Sequence, residues 1–86
     1  MNEEEIMRML MNEGYKEVYI QQDGSHKFYP EHSHGQTTLI VLEGTMWVKM
    51  NRETILLTPG KRLDIPANVI HEAKMGLEGC TYVVGE

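Results

Sequence analysis

The spacing of hydrophobic and polar residues changes once along the chain, after the first 14 residues. In this first segment Ile6 and Leu10 lie one helical turn apart with methionines beside them, which is the apolar stripe of an amphipathic helix. Asn2 can cap the helix, and three glutamates follow it at the positive end of the helix dipole. Gly14 is a suitable stop. The pattern predicts a short N-terminal helix in residues 1–14, which packs over one end of the β domain that follows or at a subunit contact.

From residue 15 onward the pattern is one of short apolar runs separated by turn residues. The predicted strands are Glu17–Gln21, Lys27–His34, Thr37–Leu42, Thr45–Met50, Thr54–Leu57, Arg62–Ile65, His71–Met75 and Thr81–Val84. Turns are predicted between them, among others at Glu43-Gly44 and from Gly76 to Gly79. Many short strands at this spacing are typical of a sandwich or a closed barrel. Residues 15–86 are therefore predicted to form one all-β domain.

The length of the chain limits its stability. Its 86 residues suffice for one domain with a small core, so a metal ion, a disulfide or a partner subunit is expected to add to the stability. Cys80 has no second cysteine with which to pair, and we expect it in the core. A metal ion or a homodimer remains, and the methionine-rich helix or the N-terminal strand is the expected contact in such a dimer.

The charge pattern argues against two classes of partner. There are 13 acidic and 8 basic residues, a formal net charge of −5, and the basic residues are scattered. Nucleic acid binding requires a clustered positive surface, so no nucleic acid partner is expected. No apolar run approaches the roughly 20 residues of a membrane span, and the N-terminus is acidic where a signal peptide is basic. We expect a cytoplasmic protein without a membrane partner.

His32 and His34 are the first candidates for chemistry. On a strand the two side chains point to the same side, about 6.5–7 Å apart at the backbone, which allows both imidazoles to bind one ion. Taken alone, a His-Ser-His segment could equally be a solvated surface. Gln36 shares this strand parity and could supply an amide oxygen as an additional ligand, the alternative being water in that position.

A second unit lies further along the chain. Gly60, five residues, Pro66, four residues and His71 place a turn glycine, a strand, a proline and a histidine in succession. With His32, His34 and Gly44, this unit resembles the two motifs of the cupin superfamily, over roughly residues 27–84. The resemblance implies a small double-stranded β-helix, or jelly-roll barrel, with one divalent metal ion on His32, His34 and His71.

The sequence departs from the cupin motifs at three positions. The glutamate of the first motif is missing, and its place falls on Thr37 or Thr38 according to the end from which one counts. Neither threonine is a good ligand for a borderline divalent ion, so three histidines with open positions form the simplest site. Met75 stands in place of the second motif's asparagine, which predicts a drier cavity. His26 stands in place of a glycine, too far from His32 to be a ligand.

The function is less determined than the site. Cupins include dioxygenases, isomerases and sugar-binding domains, and a fold by itself does not define an activity. Three neutral imidazoles and a divalent ion carry a net charge of +2, which favours a small anionic or chelating molecule. One hypothesis is a metal-dependent, dioxygenase-like enzyme that uses such a substrate. The alternative is a binding or sensing module without catalysis, and a metal-free structural protein is a third. The metal could be Fe, Mn, Zn or Ni.

Overall fold

The computed structural model describes residues 2–86, and strands make up most of them. One helix, α1 (Glu3–Asn12), precedes six strands. The strands are β1 (Val18–Asp23), β2 (Phe28–His32), β3 (Thr37–Met50), β4 (Glu53–Leu57), β5 (Arg62–Ile65) and β6 (His71–Gly85). This confirms the all-β fold with a short N-terminal helix. No helix in the described residues has both the length and the apolar character needed to cross a membrane.

β3 and β6 form one long antiparallel ribbon that runs through the whole domain. The predicted turns at Glu43-Gly44 and from Gly76 to Gly79 were wrong, because each falls inside one of these strands, where the pairing register shifts. Gly44 and Gly79 both have a positive φ, and a Cβ on Gly44 would lie 2.1 Å from the carbonyl oxygen of Gly79. The two glycines therefore allow the backbones to approach closely where the ribbon is irregular.

The two halves of the ribbon pair with different strands. The first half of β3 pairs with β5, and the last half of β6 pairs with β1. The other half of β3 pairs with β4, and the start of β6 pairs with β2. The sheet is not closed into a continuous ring, since β1 and β4 are at the two ends of its order. One buried apolar cluster takes residues from both halves: Leu39, Val41, Met46, Val48, Leu57, Ile65, Ala73, Met75, Cys80, Tyr82 and Val84.

The helix covers the other side of the ribbon. Asn2 accepts a hydrogen bond from the backbone N–H of Glu5, as a helix cap does. Ile6 and Leu10 are buried and pack with Ile40 and Val83, whose side chains point away from the main cluster. The helix thus packs within the domain, but on the outer face of the ribbon and not over an end of the domain as predicted.

Cys80 lies in the main cluster, as expected for a free cysteine. It is 3% exposed, and burial raises the pKa of its thiol to about 11. The thiol is therefore protonated at neutral pH and acts as a small apolar side chain.

Candidate metal centre

His32, His34 and His71 come together at the end of the domain that lies away from Gly44 and Gly79. His32 and His71 are partners in the pairing of β2 with β6, and His34 follows in the loop before β3. The ring centroids are 4.3 Å apart for His32 and His71, 4.7 Å for His34 and His71, and 5.2 Å for His32 and His34. Ring nitrogens of the three lie within 4.8 Å of one another. The structure thus brings together the three histidines that the motifs single out.

The backbone conformation that places His34 at the site differs from the prediction. The strand predicted over Lys27–His34 ends at His32, and its register shifts between Tyr29 and His32. Pro30 lies within this stretch and has no N–H with which to continue the ladder. The backbone carbonyl of His34 instead accepts a hydrogen bond from the N–H of Asn68, which ties its loop to the loop before β6. Strand parity was therefore the wrong reason for the convergence of His34.

Each of the three rings is held by a backbone carbonyl. The Nδ1 atoms lie 2.7 Å from the oxygen of Pro30 for His32, 2.8 Å from that of Gly35 for His34, and 2.9 Å from that of Val69 for His71. A carbonyl only accepts, so Nδ1 carries the proton and Nε2 keeps its lone pair. This is the arrangement typical of metal-binding histidines, whose second nitrogen is fixed by a hydrogen bond. The donor set fits a divalent ion.

The three histidines differ in burial. His71 is 4% exposed, whereas His32 and His34 lie nearer to solvent. Burial lowers the pKa of His71 below its usual value, and the other two histidines lower it further, against the opposing effect of the Val69 carbonyl. The neutral form, which binds metal, is therefore favoured for His71 at neutral pH.

The two threonines at the place of the missing glutamate face opposite ways. The Thr37 hydroxyl lies 3.1 Å from Nδ1 of His34 and lines the cavity beside it. Thr38 is fully buried and donates a hydrogen bond to Asp64, 2.6 Å away. Thr37 is thus the residue at the site, where it supports His34. No carboxylate joins the three histidines in the described part of the chain.

Gln36 is engaged elsewhere in the structure. Its amide nitrogen donates a hydrogen bond to the Tyr15 hydroxyl, 3.4 Å away, and it lines a different cavity, near Arg62 and Asp64. A role for Gln36 as an additional ligand stays a prediction, and it would require the side chain to leave this position.

His32 and His34 line a cavity of about 290 Å³ between the two halves of the ribbon, and His71 lies beside them. Its walls are largely apolar, and Met75, which replaces the motif asparagine, is one of them. The remaining lining residues include Tyr19, Gln21, Tyr29, Leu39, Met46, Ala73, Tyr82 and Val84. A volume at the small end of the range for ligand sites admits only a small molecule.

A buried carboxylate that the sequence analysis missed lies behind this cavity. Asp23 is 8% exposed, at the end of β1, and pairs there with Cys80. It accepts hydrogen bonds from Tyr82, Tyr29 and Gln21, all of which line the cavity. Burial raises the pKa of Asp23, but these hydrogen bonds outweigh it, so the pKa lies below its usual value. Nothing in the turn segment Asp23-Gly24 distinguishes this aspartate from a solvated one, because its two phenol partners lie on other strands and one of them, Tyr82, is 59 residues away.

The comparison with protein families supports the fold and assigns the chain to a family. The model of the AraC-like ligand binding domain matches residues 14–84, which is nearly all of the chain outside α1. The chain belongs to this family. It is a cupin, as the motifs indicated. The matched residues include the three histidines and every lining residue of the cavity except Glu86.

Solved structures share the fold. A cupin-2 domain containing protein from Shewanella frigidimarina is 25% identical, with a TM-score of 0.70, over 80% of this chain and 67% of that one. Salicylate 1,2-dioxygenase from Pseudoaminobacter salicylatoxidans is also 25% identical, with a TM-score of 0.72, over 79% of this chain but only 21% of the enzyme. A DMSP lyase from Ruegeria pomeroyi is 20% identical, with a TM-score of 0.71, over 78% of this chain and 35% of that one. No curated protein matches the chain.

Proposed function

We propose that this domain binds a divalent metal ion on His32, His34 and His71 and, through it, a small anionic or chelating molecule in the adjoining cavity. The observation that carries the proposal is the set of three Nδ1–carbonyl contacts, which leave the Nε2 lone pair of each ring free in a cluster whose ring nitrogens lie within 4.8 Å of one another. Three neutral imidazoles cannot balance the ion's charge, so an anionic ligand would be favoured at its open positions. The match to a ligand-binding domain family supports the same proposal.

The experiment is metal analysis of the purified chain and of single variants. His32→Ala, His34→Ala and His71→Ala should each lose most of the metal that the unchanged protein binds from a stoichiometric supply of Zn²⁺ or Co²⁺. His26→Asn is the matched control, because His26 lies outside the cluster and asparagine tolerates its positive φ. Full metal content in all three alanine variants would contradict the proposal, and circular dichroism checks that each variant is folded.

Catalysis is a second candidate, favoured by the likeness to salicylate 1,2-dioxygenase. A divalent ion would supply Lewis acidity or, if it is iron, oxygen chemistry, while the histidines hold it and the cavity wall orients the substrate. The metal that the protein retains from cells distinguishes the two candidates. Iron or manganese with ligand-dependent oxygen consumption would favour the enzyme, and tightly held zinc without turnover would favour the binding module.

A further inference from the structure

The wall of the cavity around Asp23 presents oxygen atoms that only accept hydrogen bonds. The Tyr82 hydroxyl donates to Asp23 at 2.7 Å, and the Tyr29 hydroxyl lies 2.9 Å and 3.0 Å from its two carboxylate oxygens. A carboxylate has no hydrogen to give, and a phenol has only one. Once both phenols have donated to Asp23, each keeps only lone pairs to offer a molecule in the cavity.

Gln21 adds to this wall. Its amide nitrogen donates one of its two hydrogens to Asp23 at 3.1 Å, which turns the amide oxygen, another acceptor, away from the carboxylate. The phenols also stay protonated, because burial and the Asp23 carboxylate both raise the pKa of Tyr82 and of Tyr29. The direction of these hydrogen bonds is therefore set at any pH near neutrality.

The wall formed by Tyr29, Tyr82 and Gln21 lines the same cavity as His32 and His34. Tyr29 lies between the two parts of the cavity: its hydroxyl donates to Asp23, and its ring centroid is 6.5 Å from that of His32. The apolar side chains of Leu39, Met46 and Met75 line the space as well. A short molecule can thus reach the histidines with one end and the phenols with the other.

We propose that the ligand of this site is a short bifunctional molecule, with a metal-chelating anionic end at His32, His34 and His71 and a hydroxyl or ammonium donor at the Tyr29–Tyr82–Gln21 wall. The proposal rests on the proposed function, since the anionic end requires the metal. A carbonyl or carboxylate at the far end would face the acceptor oxygens of the two phenols and would lose there the hydrogen bonds it makes in water. Asp23 is then a positioning residue, which acts through the two phenols that it orients.

The test uses three probes of one length bound to the Co²⁺-loaded full chain. Pentanohydroxamate, γ-hydroxybutyrohydroxamate and γ-aminobutyrohydroxamate share the chelating group and end in methyl, hydroxyl and ammonium. The Co²⁺ absorption spectrum and calorimetry report their Kd values. We expect the hydroxyl or the ammonium probe to bind about 3- to 10-fold more tightly than the methyl probe, the effect of one hydrogen bond. The comparison of these two probes shows which donor the wall prefers.

Substitutions in the wall test whether its residues cause the preference for the hydroxyl or ammonium probe over the methyl probe. Tyr29→Phe and Tyr82→Phe should reduce the preference toward 1 while the methyl probe still binds, because the metal site is untouched. Asp23→Asn should reduce it too, since an amide can donate to a phenol and free the phenolic hydrogen to face the cavity. Tyr15→Phe is the matched control, because its hydroxyl lies on the other side of β3 with Thr38.

The outcomes separate this proposal from the one it rests on. Failure of the protein to bind Co²⁺ would overturn both. Binding of Co²⁺ and of all three probes with equal Kd values would overturn only the donor-end proposal. So would a preference that survives unchanged in Tyr29→Phe, Tyr82→Phe and Asp23→Asn, each shown to be folded by its melting curve.

Discussion

Thr37 and Thr38 have the same side chain but lie on opposite sides of β3. Thr37 lines the histidine cavity, and Thr38 points toward Tyr15 and Asp64. Because side chains alternate along a strand, only one of two neighbours can take the place of the missing glutamate. The contact of Thr37 with His34 identifies it as that one.

This difference predicts opposite outcomes for the same substitution. Thr37→Glu places a carboxylate beside the three histidines and is expected to lower the Kd for Zn²⁺ roughly tenfold, because it adds an anionic ligand. Thr38→Glu places a carboxylate in a buried site next to Asp64, so it should lower the melting temperature without improving metal binding. Competition with a chromophoric chelator measures the first effect. Equal effects of the two substitutions on metal affinity would contradict the assignment.

At the scale of elements, one arginine connects α1, β3 and β5. Arg62 on β5 makes two hydrogen bonds, of 2.6 Å and 2.7 Å, to Glu13 at the end of α1. It also lies 3.0 Å from Asp64, which in turn accepts from Thr38 of β3. The paired contact with Glu13 matches the planar fork of the guanidinium, and this geometry makes an ion pair more effective than an ordinary surface pair.

This network predicts a loss of stability in acid. The hydrogen bond from Arg62 lowers the pKa of Glu13 below its ordinary 4.5, and the hydrogen bond from Thr38, followed by Arg62, lowers that of Asp64 below 3.8. As the pH falls, the unfolded chain takes up these protons first. The stabilisation is therefore complete above the ordinary pKa values and is lost as the pH falls through the lower, folded ones.

Urea unfolding of the metal-free protein between pH 7 and pH 3 measures the effect. Arg62→Met should lower the midpoint at pH 7 and make the midpoint less dependent on pH below about 4.5. Arg8→Met is the control, because the contact of Arg8 with Glu4 lies on the exposed side of α1 and an exposed pair contributes little. The same pH dependence in Arg62→Met as in the unchanged protein would show that the network does not cause it.

At the scale of the whole molecule, the small size of the fold makes a bound ion important for stability. An ion that binds only the folded chain stabilises it by mass action, about 2.7 kcal/mol at a free concentration one hundred times its Kd. For a domain of this size that corresponds to a shift on the order of 10 °C in melting temperature. A homodimer would add in the same way, and it stays a prediction, with the exposed Met11 and Ile20 near the predicted contact.

Chelation is expected to lower the melting temperature by this amount at pH 8, because it removes an ion that stabilises only the folded chain. Scanning calorimetry of the Zn²⁺-loaded chain with and without EDTA gives the shift. In His71→Ala the chelator should have little effect, because the cluster has lost its most buried histidine. Identical melting curves of the unchanged protein with and without EDTA would show that no bound ion supports the fold.

Local signals in the sequence determined the parts of this protein that depend on near neighbours. The helix followed from its cap and apolar stripe, as α1 shows. The resemblance to the cupin motifs identified His32, His34 and His71, because the residues of each motif lie within one short segment of the chain. The all-β fold followed from short apolar runs and turns for the same reason.

Tertiary structure alone decided what depends on register between distant strands. The close approach of Gly44 and Gly79 made β3 and β6 continuous where the sequence indicated turns. Pairing across the ribbon placed Thr37 rather than Thr38 at the histidines. It also buried Asp23 under Tyr29 and Tyr82, which are separated from it by 6 and 59 residues. An aspartate beside a glycine is typical of a turn, and only the hydrogen bonds that arrive from other strands turn it into part of a cavity wall.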